Sequence, residues 1–84
     1  MKNYVFPAIF FEEPAGVAVV FPDLPGCVTQ DDNYERAFKC AKEALHLHLS
    51  GMIEDGESIP APSKLKNIPL EHGAALALIE TQLI

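Results

Sequence analysis

Tryptophan is absent from this 84-residue chain, cysteine occurs twice, and lysine and arginine together number only six. Each shortage excludes something. Two thiols, Cys27 and Cys40, are too few for the disulfide framework that a secreted domain of this size needs, so both are expected to be reduced. Six bases against twelve acids leave a net charge of −6. A surface of that sign is repelled by phosphate backbones, which disfavours autonomous nucleic-acid binding and suits a basic protein partner. No apolar run approaches the roughly eighteen residues of a membrane helix, and the start MKNYVFPAIF alternates where a signal peptide would be continuously apolar. The chain is expected to be cytoplasmic, with no membrane contact.

What is present is core material. Hydrophobic residues make up 49% of the chain, enough for the core of one small domain. A chain this short buries only roughly 60–65% of its unfolded surface, so some apolar surface is left for partners. A homodimer or higher oligomer is the expectation.

The pattern of apolar residues divides the chain. Aromatic and β-branched residues predict a strand over about 3–11, blemished by Pro7, whose missing N–H must face an unpaired side or a bulge. The turn EEPAG leads to a second strand over about 16–21, and a Pro-Gly turn to a short third over about 27–30. From Asn33 the period changes. Tyr34, Phe38, Ala41, Leu45, Leu49 and Met52 fall at helical spacing, predicting a helix over about 33–54 with Asn33 or Asp32 as its cap. A proline-punctuated connection follows. The final run AALALIETQLI predicts a strand over about 74–80, with a short helix as the alternative. The fold class is α+β: a small antiparallel or mixed sheet in β-β-β-α-β order, with one long helix across one face.

Little in the sequence is arranged for chemistry. There is no GxGxxG, P-loop, HExxH or CxxC. His46 and His48 are two apart on the predicted helix and point about 200° away from each other, so they cannot share one metal ion within a monomer. Cys27 has no cationic neighbour in sequence to lower its pKa, and reads as a small apolar residue starting a strand. Cys40 reads as packing. A metal-dependent nuclease needs carboxylates converging from strands, and Tyr4 to Phe11 contains none. No catalytic residue, metal site or cofactor is predicted, and the chain is not expected to be an enzyme.

The densest punctuation is FPDLPGC, Phe21 to Cys27. Pro22 and Pro25 restrict the turn, Gly26 permits the reversal, and Asp23 caps nearby amides. Its tip, Asp23 and Leu24, is a candidate partner contact. The other candidates are the acids Glu12, Glu13, Asp31 and Asp32.

Three stretches in order, FPDLPGC (Phe21 to Cys27), ERAFKCAKEAL (Glu35 to Leu45) and EDGESIPAPS (Glu54 to Ser63), carry a resemblance. From Tyr4 to Ser63 the chain resembles the HicB family of antitoxins, and Ala74 to Glu80 is similar to that family's final strand. The resemblance implies a sheet-and-helix domain like a truncated RNase H fold. It also implies a role in neutralising a HicA-type toxin, a small basic mRNA-cleaving ribonuclease with a catalytic histidine, by shielding its active site. Many family members continue into a DNA-binding segment. Since this sequence stops at Ile84, DNA binding is expected only through such a segment beyond it. An orphan domain that self-associates without a toxin is the alternative.

Overall fold

Apolar side chains at every second place make the first run a strand, because successive residues point to opposite faces. In the computed structural model, which describes residues 1–83, it is β1 (Lys2–Glu13). A hairpin joins it to β2 (Gly16–Val20), and β3 (Val28–Asp31) follows the FPDLPGC turn. Then come α1 (Tyr34–Glu54) and β4 (Ala74–Leu83). The strand order is β3-β2-β1-β4 and every pairing is antiparallel, which decides between the antiparallel and mixed sheets expected. The final apolar run is a strand as far as Leu83; Ile84 lies outside the described residues.

The register stacks Phe6 beside Ile79, Ala8 beside Ala77 and Phe10 beside Val19 on the face that α1 covers. The opposite face is also apolar, and Val5, Val28 and Leu78 are exposed there. Pro7 occupies an inner strand without breaking it. β1 pairs with β2 only from Ile9 onward, whereas Pro7 pairs with Leu78 of β4. One side of β1 therefore needs no amide donor at that position.

α1 begins where Asn33 caps it, its side chain accepting from the Arg36 N–H at 2.9 Å. Ala37, Ala41, Leu45 and Leu49, each four residues from the next, are wholly buried against the sheet. Truncating Leu45 to alanine would cost about 2–5 kcal/mol. Tyr34 and Phe38, expected on this stripe, are 43% and 41% exposed. Ala37 takes the inward position instead. The two aromatics flank it and close over Phe10, with ring centroids 6.3 and 6.1 Å away.

α1 ends at the wrong place for β4. His46 in its second half meets Thr81, which pairs with Tyr4 near the start of β1, while β4 must begin beside Phe11. Residues 55–73 therefore return along the domain before β4 starts, and this return makes β4 antiparallel to β1.

Candidate partner-binding site

FPDLPGC forms two successive tight turns. The Leu24 N–H donates to Phe21 O at 3.0 Å and the Cys27 N–H to Leu24 O at 3.0 Å. The Phe21 N–H then closes the loop onto Cys27 O at 3.1 Å. The turns aim every third side chain inward, so Phe21, Leu24 and Cys27 are all buried. Pro22, Pro25 and Gly26 face outward, and Gly26 supplies the φ of +86° that the second turn requires. Leu24 is thus a correction to the exposed tip expected: it is 1% exposed, because the three-residue spacing places it in the core. Cys27 precedes β3. Burial pushes its thiol pKa up to about 11, and its Sγ lies 3.7 Å from Ala44 O.

Asp23 is half-buried and is engaged from a distance. Its carboxylate accepts from the backbone N–H of Ser63 at 2.8 Å and from the Ser63 hydroxyl. This clamp holds the middle of the return segment against the β2–β3 turn.

The remaining acids gather elsewhere. Glu12 and Glu13 end β1 at the hairpin, and Asp31 ends β3 with Asp32 following. Glu13, Asp31 and Asp32 border one hollow of about 290 Å³ beside Gly16. Asp31 Oδ1 accepts from the Asp32 N–H at 2.7 Å, and its Oδ2 accepts from the Cys40 thiol at 3.2 Å. These bonds, the amide one foremost, hold the Asp31 carboxyl below its ordinary pKa, and the same carboxylate raises that of Cys40. Cys40, expected to serve as packing, therefore also makes a polar contact. Arg36 lies 4.0 Å from Asp31 and 3.4 Å from Asp32. The length of β3 separates this group from the turn that carries Asp23, and the two border different hollows, so the candidate acids form two sites rather than one.

At the Asp23 end, a groove of about 550 Å³ runs between the turn and the second half of α1. Leu47, His48, Gly51 and Met52 line its helix side, and Pro25 and Pro60 also border it. Asp23, Asp55 and Glu57 stand on its rim, with no lysine or arginine among its lining residues. The reading of the sequence missed this groove. Its available signals were Leu47, which lies off the buried stripe and is 71% exposed, and Gly51, a glycine inside a helix. The two histidines diverge as their spacing requires. His48 lines the groove, while Nδ1 of His46 is hydrogen-bonded to Thr81 Oγ1 at 3.0 Å on the other flank.

A four-stranded antiparallel sheet with one long helix across a face defines a small α+β domain. A family model for the HicB-like antitoxin of bacterial toxin–antitoxin systems matches residues 6–82, and the chain belongs to that family. It is 34% identical over 86 residues to antitoxin HicB 2 of Photorhabdus laumondii, covering 98% of this chain and 62% of the relative. Among solved structures it is similar to the N-terminal domain of the Burkholderia pseudomallei antitoxin HicB, with a TM-score of 0.75 and 28% identity over 95% of this chain and 100% of that one. The fold also matches a chain of a HicA3 and HicB3 toxin–antitoxin complex, with a TM-score of 0.69 and 24% identity over 90% and 95% of the two chains. The chain spans between 41% and 62% of the length of the curated relatives it matches. Among the described residues, no helix is long and apolar enough to cross a membrane.

Proposed function

We propose that this chain acts as an antitoxin that binds a small basic HicA-type ribonuclease and neutralises it by covering its active site. The family match over residues 6–82 carries the reading. A net charge of −6 supports it, since complementary fields speed association and select the partner. The action is occlusion, with no reaction catalysed by this chain.

The acidic positions supply the contact: Glu12, Glu13, Asp31 and Asp32 at the hairpin end, or Asp23 at the groove. The exposed apolar sheet face and the open edge of β4 support self-association as a dimer or higher oligomer. DNA binding is not assigned to residues 1–84, whose charge opposes it.

Co-expression tests the reading. Induction of a HicA-type small basic ribonuclease should arrest growth, and simultaneous expression of this chain should restore it. Arrest that persists despite a soluble, folded antitoxin would reject the proposal.

A further inference from the structure

Gly51 has no structural reason within the chain to be glycine. It lies inside α1, where glycine is disfavoured relative to alanine, and its φ is not positive. A β-carbon built on it would meet nothing within 4 Å apart from the helix's own neighbouring backbone. Among the described residues no side chain presses against it and no turn needs it. What it does is leave bare backbone in the wall of the groove beside Asp23. Two further features of that groove point outward. Leu47 presents an apolar side chain that is 71% exposed, one helical turn before Gly51. Asp55, one turn after it, and Glu57 put carboxylates on the rim, and both are exposed.

We infer that this groove is the seat for a segment of the toxin carrying a lysine or arginine, whose methylene stem packs over Leu47, Met52 and the bare backbone at Gly51 while its charged end meets Asp55 and Glu57. The inference rests on the antitoxin reading and assigns its contact to one end of the domain. A long basic side chain suits such a groove because its stem is apolar and its head is charged. The charge sign commits the occupant: every formal charge on the groove wall is negative apart from any carried by His48. Exclusion of water by the stem would strengthen the ion pairs beyond what exposed pairs achieve.

The test uses the whole chain and its cognate small basic protein, with affinity measured by calorimetry and folding by circular dichroism. Gly51→Ala should raise the midpoint of thermal unfolding by about 3 °C, showing that the fold does not need the glycine. Gly51→Leu fills the groove and should weaken binding at least tenfold while the domain stays folded. The Asp55→Lys/Glu57→Lys pair should do the same, and these positions at a helix C-terminus tolerate cations. Glu71→Lys/Glu80→Lys makes the same change in net charge away from the groove and should leave affinity within about threefold. Wild-type binding that Gly51→Leu leaves intact overturns the groove while the antitoxin reading stands. Loss confined to Glu12→Lys/Glu13→Lys would place the contact at the hairpin end instead, with the same consequence. No binding by the folded wild-type chain rejects both readings.

Discussion

Asp23 and Ser63, forty residues apart in sequence, are joined by two hydrogen bonds to one carboxylate. The contact links FPDLPGC to EDGESIPAPS, two of the stretches by which the sequence resembles its family, and fixes the return segment that starts after α1. Asp23→Ala removes an ionised acceptor and should cost about 1–2 kcal/mol, with faster amide exchange around residue 63. Ser63→Ala keeps the amide donor and should cost less. Equal exchange rates in Asp23→Ala and wild type would mean that the segment is held by other contacts.

Gly16 opens β2 at a φ of +148°, and a β-carbon there would run into the backbone carbonyl oxygen of Asp31. Backbone, unlike a flexible side chain, cannot easily move aside. Gly16→Ala should therefore destabilise the domain by about 2 kcal/mol or more, read from chemical denaturation. A neutral effect would show that β3 shifts to make room.

The Asp31 carboxyl is held below its ordinary pKa, so its contribution to stability has a definite sign with pH. It is present above the usual carboxylate range of about pH 4 and is lost as pH falls through the lowered native value. In an acid titration of unfolding midpoints, Asp31→Asn should be less stable than wild type near neutrality and converge with it at low pH. Parallel curves would contradict the assignment.

The thiols should differ in reactivity. Cys27 is buried with its pKa raised to about 11, so iodoacetamide at pH 8 should leave it unmodified until the chain unfolds. The stabilising effect of that raised pKa is complete below the ordinary thiol value and is lost between about pH 9 and about 11. Cys40 is accessible but its proton is held by Asp31, so it should react slowly, and faster in Asp31→Asn. Peptide mapping of the alkylated protein distinguishes the two sites.

The fold class was legible because the period of the apolar residues changes sharply at Asn33, and the punctuators on either side are strong. The inward face of α1 was less legible. Tyr34 and Phe38 keep helical spacing with Leu45, yet alanine at 37 is what lets the helix approach the sheet, and an alanine gives little signal in a hydrophobic pattern. Leu24 was misplaced at an exposed tip because a turn-rich stretch reads as surface, whereas two consecutive turns return every third residue to the core. The clamp between Asp23 and Ser63 and the groove beside it join segments far apart in sequence, which no local pattern reveals.

The most direct test of the central claim is a ribonuclease-inhibition titration, with the cognate small basic protein cleaving an RNA substrate as this chain is added. The account predicts stoichiometric loss of cleavage by residues 1–84 alone. Undiminished cleavage at a several-fold excess of the folded chain would contradict it.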